Sequence, residues 1–314
     1  MAMDLSQKRI LLTGGSGFLG RYVFEELLSR GVPDSSIFTP GSEELDLRKW
    51  ESCVEAVKNA DLVIHLAAKV GGIGFNLKYP GELFYDNAIM GIQLMEAARL
   101  AGTEKFVCVG TVCSYPRLTP VPFREGDLWN GYPEETNAPY GIAKKALLVQ
   151  AQSYRKQYGF NAVYLLPVNL YGPGDHFNAD NAHVIPALIL KFFEAKLKGL
   201  PQVTAWGTGN ASREFLFVRD AARGIVDAAE RYDKGEPVNL GSGREIRIRD
   251  LAVMIKEITE YEGEIVWDTS RPDGQPERRL DVSRARAEFG FRATTTFEEG
   301  LAATVTWYRE TMLG

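Results

Sequence analysis

A short apolar run, Arg9 to Thr13, breaks directly into Gly14-Gly15-Ser16-Gly17-Phe18-Leu19-Gly20, and helical spacing follows to about Arg30. That order constrains the chain more than any other feature. A strand that turns at once into a helix needs a residue free to take unusual backbone angles, and Gly14 supplies it. Gly17 lets the backbone approach a pyrophosphate, and Gly20 lets helix and strand pack closely. The phosphate charge then meets the positive end of the helix. Ser16, Phe18 and Leu19 belong to the same cradle. The rest of the first half keeps this rhythm. Strand-like runs recur at Ile37-Phe38, Leu62 to Leu66, Phe106 to Val109 and Ala162 to Leu166, with helical stretches near 48–58, 81–101 and 139–158. Alternation of this kind predicts an α/β fold, a Rossmann-type doubly wound parallel sheet with right-handed crossovers.

After about residue 170 the pattern loosens around Gly172, Pro173, Gly174, Gly199, Pro201, Gly207 and Gly209. A smaller α/β C-terminal lobe that contacts substrate is expected there. Residues 214–240 again read strand then helix. The expected division is therefore 1–168 with 214–240 for a dinucleotide, and 169–213 with 241–314 for the substrate.

Composition narrows the partners. A net charge of −5 over 314 residues, with no long basic run, argues against nucleic acid or an anionic membrane. Cys53, Cys108 and Cys113 are odd in number and scattered, which suits a reducing compartment better than a disulfide framework. Met1 to Lys8 is polar, and no apolar run approaches the roughly 20 residues that span a bilayer. A cytoplasmic protein is expected.

In this fold the end of the second strand meets the adenosine ribose. An acid there favours NAD and a base favours NADP. Thr39-Pro40-Gly41-Ser42 is neither. Room is left for a 2′-phosphate, with Ser42, Arg21 or Arg48 to contact it, so NADP(H) is favoured and NAD(H) stays compatible. Asp46 can take the adenine amino group, or simply serve as a helix N-cap before Arg48. Ala67 and Ala68 follow the third strand, where the cofactor crevice lies.

Tyr140 and Lys144 are four apart, hence on one helix face. Asn137 can cap that helix, and Pro139 suits its first turn. A nearby ammonium and a ribose hydroxyl would lower a phenol pKa of about 10. Thr111, at the end of the fourth strand, can donate to a substrate carbonyl. Cys113 adds a thiol and His183 an imidazole. Thiol, imidazole, phenol and ammonium together can invert a centre beside a ketone and support hydride delivery to that ketone. The bland alternatives are a packed cysteine, a structural histidine and solvated surface cations. His65, inside a strand, is read as structural.

The assembled motifs resemble the extended short-chain dehydrogenase/reductases, and within them the epimerase/reductases of GDP-4-keto-6-deoxy sugars. The carriers are Lys69-Val70-Gly71-Gly72-Ile73, Cys113 with Tyr115-Pro116, Asn169-Leu170-Tyr171-Gly172-Pro173, and His183-Val184-Ile185-Pro186. Trp206-Gly207-Thr208-Gly209, Arg213-Glu214-Phe215, Asp273-Gly274 and Leu280-Asp281 complete them. The resemblance implies that Cys113 and His183 epimerise carbons 3 and 5. It implies that Tyr140, aided by Lys144 and Thr111, serves reduction at carbon 4. It places a GDP-sugar against Asn169, Val184, Lys191, Trp206, Arg213 and Arg278. It also implies a homodimer through the helices near 82–101 and 139–158, whose apolar residues (Phe84, Ile89, Ile92; Leu147, Leu148) cover a wide arc.

Thr111 stands where the family often has serine, and Asp175-His176 replaces a more usual Asp-Asn. These departures leave a colitose-type or heptose-type substrate open. A redox-neutral dehydratase would carry an Asp-Glu pair after Thr111, where this chain has Val112-Cys113. A 3,5-epimerase without net reduction remains a competitor. A non-catalytic cofactor sensor would have no need for Thr111, Tyr140 and Lys144 together.

Overall fold

The structure is a computed structural model that describes residues 2–178, 182–271 and 275–314. Asp273-Gly274, among the carriers of the resemblance, lies outside the described residues.

Six parallel strands form the main sheet: β1 (Ile10–Thr13), β2 (Ile37–Phe38), β3 (Leu62–His65), β4 (Lys105–Val109), β5 (Ala162–Pro167) and β9 (Val238–Leu240). Their order is β2-β1-β3-β4-β5-β9. The order reverses beside β1, so a crevice opens at the carboxyl ends of β1 and β3. The four residues of β1 and of β3 are buried throughout, as expected for strands covered on both faces. Helices α1 (Phe18–Ser29), α2 (Trp50–Ala56), α4 (Pro80–Leu100), α5 (Ala138–Tyr158) and α7 (Val218–Arg231) flank the sheet. A short helix that the sequence pattern missed, α3 (Ile73–Lys78), precedes α4. A Cβ on Gly91 would overlap the Leu147 side chain, so α4 and α5 lie close along their length. No helix among the described residues is long and apolar enough to cross a membrane.

The smaller part contains α6 (Val184–Lys198), α8 (Ile248–Ile258) and α10 (Phe297–Tyr308), with a second core around Phe192, Phe215, Leu251 and Leu301. Two small sheets edge it. One joins β6 (Asn169–Tyr171), β8 (Ser212–Phe217) and β10 (Glu245–Arg247); the other pairs β7 (Gln202–Trp206) with β11 (Glu264–Asp268). The segment 214–240 returns to the main sheet only in part. Its strand, β8, pairs with β6 and β10. Leu216 of β8 already joins the main core, followed by Ala221, Ile225 and Val226 of α7, and the segment ends in β9.

Candidate active site

Gly14 has φ of +72°, and a Cβ there would sit 2.9 Å from the Ala67 nitrogen. A side chain is excluded twice, by conformation and by the neighbouring loop. A Cβ on Gly20 would overlap the Gly14 carbonyl oxygen, so α1 starts tight against the turn. Gly17 is the N-cap and brings no side chain to satisfy the first-turn N–H groups. These donors open onto a cavity of about 750 Å³. Ser16, Phe18, Leu19, Ala67 and Ala68 line it beside the glycines, and Ser42 and Asp46 close its far end.

At that far end the Asp46 carboxylate accepts from the Arg48 backbone N–H at 3.1 Å, and from Nε and Nη2 at 2.9 and 3.0 Å. These bonds hold its pKa below the usual carboxylate value. Asp46 thus caps a turn, while α2 begins later, with Lys49 as its N-cap. Arg21 Nε donates to the Ser16 carbonyl at 3.2 Å, and Arg21 is absent from the cavity wall.

The opposite end is built by three backbone contacts. Thr111 caps a short turn (112–114), its Oγ1 accepting from the Cys113 N–H at 3.1 Å. Ser114 Oγ donates to the Gly141 carbonyl at 3.0 Å, and a Cβ on Gly141 would overlap the Cys113 carbonyl oxygen. The Tyr164 hydroxyl donates to the Lys144 carbonyl at 2.8 Å. The helix carrying Tyr140 and Lys144 is therefore pinned to the turn carrying Thr111 and Cys113. Asn137 does occupy the N-cap of α5 but makes no side-chain cap bond. Its amide donates to Glu134 at 2.7 Å and accepts from the distant Asn76 at 3.1 Å, and these partners outcompete the cap.

Burial pushes the Tyr140 phenol well above its usual pKa, Cys113 and Cys108 add to the shift, and a bond with Thr111 draws it back. The phenol is therefore held protonated, the form that can donate to a carbonyl oxygen. Burial lowers the Lys144 pKa below 10.5. The Lys144 side chain is only 2% exposed, and its ammonium has no acceptor among the described residues. An unpaired buried cation of this kind suits a ribose hydroxyl. The open helix end and this ammonium fit the two ends of a dinucleotide. Beneath them, His65 is fully buried with Nδ1 2.9 Å from Thr13 Oγ1, and burial, then Lys144, hold its pKa well below 6.5.

Cys113 and His183 line the same cavity, with Asn169 between the cofactor cradle and the smaller lobe. His183 is the N-cap of α6 and makes no cap bond. Desolvation by the cleft walls, then the neighbouring His176, lowers its pKa from 6.5. Asp175 is a wall residue whose importance the sequence did not reveal. Its Oδ1 accepts from the His176 N–H at 2.7 Å, while its buried Oδ2 has no partner among the described residues. Burial pushes its pKa up to about 6.

Five expected substrate residues lie outside this wall. Val184 starts α6 and packs on the second core. Lys191 Nζ donates to the Thr204 carbonyl at 2.9 Å and lies 5.5 Å over the Trp206 ring, which Arg271 approaches at 5.0 Å. Arg213 Nη1 donates to the carbonyls of Ser212 and Gln275 at 2.7 and 2.6 Å. Arg278 Nη1 lies 3.9 Å from Cys113 Sγ, and its Nε and Nη2 donate to Gln275 Oε1 at 3.2 and 3.0 Å. Gln275 thus contacts both arginines and holds Arg278 beside the thiol, a role nothing in the local sequence announces.

The chain belongs to the NAD dependent epimerase/dehydratase family, whose model matches residues 10–241. Within that family its relatives are GDP-L-fucose synthases. The Probable GDP-L-fucose synthase 1 of Oryza sativa subsp. japonica is 38% identical over 97% of this chain and 93% of that protein. A GDP-L-fucose synthetase from Naegleria fowleri, solved bound to NADP, superposes with a TM-score of 0.86 at 28% identity, covering 98% of this chain and 95% of that one. A GDP-6-OMe-4-keto-L-xylo-heptose reductase from C. jejuni gives 0.91 at 26% identity, over 99% of both chains.

Proposed function

We propose that the chain binds NADP(H), epimerises carbons 3 and 5 of a GDP-4-keto-6-deoxy sugar and reduces carbon 4, forming GDP-L-fucose or a close analogue. The observation that carries this is one cavity lined by Thr111, Cys113, Tyr140, Lys144 and His183 together. A proton beside a carbonyl is acidic because the enolate spreads charge onto oxygen. Inversion needs a base on one face and an acid on the other, and Cys113 and His183 take these roles. Thr111 polarises the carbon-4 carbonyl. Tyr140 gives its proton to that oxygen, and Lys144 holds the ribose and favours the developing phenolate. Bound NADPH supplies the hydride. Arg278, Arg213 and Lys191 take the diphosphate, and Trp206 and Asn169 complete the nucleotide-sugar contacts.

The 2′-phosphate end, with Ser42 and Arg48 in the wall and no acid at the tip of β2, supports NADP(H) over NAD(H). The cofactor unit is read as 1–168 with 214–240, and the substrate unit as 169–213 with 241–314. A homodimer is read from apolar residues left on the outside of α4 and α5, Phe84, Ile92 and Val149. A cytoplasmic setting is read from the free Cys53, Cys108 and Cys113, the last needed as a thiol. The test is loss of NADPH absorbance on adding GDP-4-keto-6-deoxymannose, with the product identified by NMR. Oxidation with GDP-L-fucose formed is expected. The C. jejuni likeness supplies the second reading, reduction of a GDP-4-keto-heptose. Turnover of that sugar alone would select it. Solvent-deuterium uptake without oxidation would leave an epimerase only.

A further inference from the structure

The adenosine end of the cavity carries a charge arrangement that the proposed function uses only in part. Three residues there are carboxylates and two are cations. Arg48 is held by Asp46 through the bonds given above, and its Nη1 lies 3.7 Å from Asp86 Oδ1. Lys69 Nζ bonds Asp86 at 3.1 Å and also Glu82. Arg48, Asp46, Lys69 and Asp86 all line the cavity. Counting Asp46, Asp86 and Glu82 against Arg48 and Lys69 leaves this rim net negative. A 2′-phosphate, itself close to a dianion, would meet repulsion if the rim stayed as it stands.

Arg48 is the group able to change that. Its side chain is half exposed, and its partner is two residues away on the same turn. An exposed pair of this type contributes little, so releasing it is cheap. A phosphate offers the guanidinium the same two-pronged acceptor that the carboxylate offers, with more charge. Lys69 is less exposed than Arg48 and hydrogen-bonds both Glu82 and Asp86, whereas Arg48 only approaches Asp86 at 3.7 Å, so Lys69 is the less free of the two.

Resting on the cofactor reading above, we infer that Arg48 exchanges Asp46 for the 2′-phosphate of NADP(H), and that Asp46 and Asp86 set the strength of discrimination against NAD(H). Released Asp46 becomes an acceptor for the adenine amino group. With NAD(H) no phosphate competes, and Arg48 stays on Asp46. The chain should therefore accept both cofactors, with a moderate preference that single carboxylates tune.

The test is fluorescence titration of the full-length protein with NADPH and with NADH, at low and high salt, in the absence of substrate. For Arg48→Gln, NADPH binding should weaken about tenfold or more, with NADH unchanged within about twofold and the salt dependence of NADPH binding reduced. Retained NADH binding also shows that the variant is folded. Asp46→Asn keeps an acceptor oxygen but removes charge, and it should shift the NADPH/NADH ratio about threefold or more toward NADPH. Asp86→Asn should shift it the same way. Equal weakening of both cofactors by Arg48→Gln, or no effect on NADPH, overturns the inference. So does a selective NADPH loss in Arg21→Gln instead. If the unaltered protein binds neither cofactor, the cofactor reading itself fails, and the two failures are distinct.

Discussion

The cavity has one wall fixed by backbone and another held by side chains. On the first, Thr111, Cys113, Tyr140 and Lys144 sit on elements locked by carbonyl and N–H contacts and by a glycine with no room for a methyl. On the second, His183 has no cap bond, and beyond the cavity Trp206 is 60% exposed while Arg213 and Arg278 lean on Gln275. A reaction centre must hold reacting atoms within fractions of an ångström, which backbone pinning supplies. A surface that receives a large charged nucleotide needs accessible cations more than rigidity. The two walls thus divide precision from capture.

The sharpest way to break this comparison is Tyr140→Phe. If the fixed wall owns reduction, turnover of the 4-keto group falls by about 10²–10⁴-fold, while solvent-deuterium exchange at carbons 3 and 5 continues. Exchange lost with reduction retained would reverse the assigned roles.

Next come the two groups proposed to epimerise, one from each wall. Cys113→Ser should slow exchange by roughly 10²-fold with NADPH affinity intact. His183→Gln should slow it comparably, but with the melting temperature unchanged, because His183 makes no cap bond and lines the cavity rather than a core. If His183→Gln unfolded the protein, the second wall would be structural after all. Normal exchange in Cys113→Ser would remove the thiol from the chemistry.

The walls also differ in how readily sequence discloses them. The glycine turn, Thr111, Cys113 and the Tyr140–Lys144 spacing are local patterns, fixed by a few covalently linked residues and by helix periodicity. They could be read without any long-range pairing. Arg278 beside Cys113 depends on contacts across 165 residues, and Gln275 matters only because of that fold. Asp175 became visible once the structure showed its Oδ2 buried and unpartnered. Its sequence signals were its place just after the Gly172-Pro173-Gly174 turn and the unusual His176 that follows it. Strand β8 continues into α7, and local pattern could not show that it pairs with β6 and β10. The cap expected of Asn137 failed for the same reason, since Glu134 and Asn76 compete for its amide.

A smaller effect sharpens the idea of backbone pinning. Gly141→Ala forces a methyl into the Cys113 carbonyl oxygen. The helix and turn must separate, at a cost of about 2–3 kcal/mol in unfolding free energy. Reduction and exchange should fall together, since Tyr140 and Cys113 ride on the two displaced parts. Wild-type stability in chemical denaturation would show that the contact is not fixed. Loss of only one activity would show that the two groups are positioned independently.

The smallest effect lies in Asp175, where the cavity wall carries a charge the fold does not neutralise. Its pKa rises from 3.8 to about 6 on burial. Below about pH 4 the carboxyl is protonated both folded and unfolded, and it imposes no penalty. Between pH 4 and 6 the unfolded chain ionises first, so folded stability declines as pH rises. Above pH 6 the penalty is complete, on the order of 1–2 kcal/mol once cavity water is allowed for. Asp175→Asn removes the charge and keeps the shape. Its melting temperature should exceed that of the unaltered protein at pH 7.5 and match it near pH 4. Glu214, pushed up to about 7 by burial, acts with the same sign, so only the difference between the two proteins isolates Asp175. A difference independent of pH would mean that Asp175 acts through packing. A gain at pH 7.5 accompanied by slower turnover would mean that the second wall keeps a destabilising carboxylate because the substrate uses it.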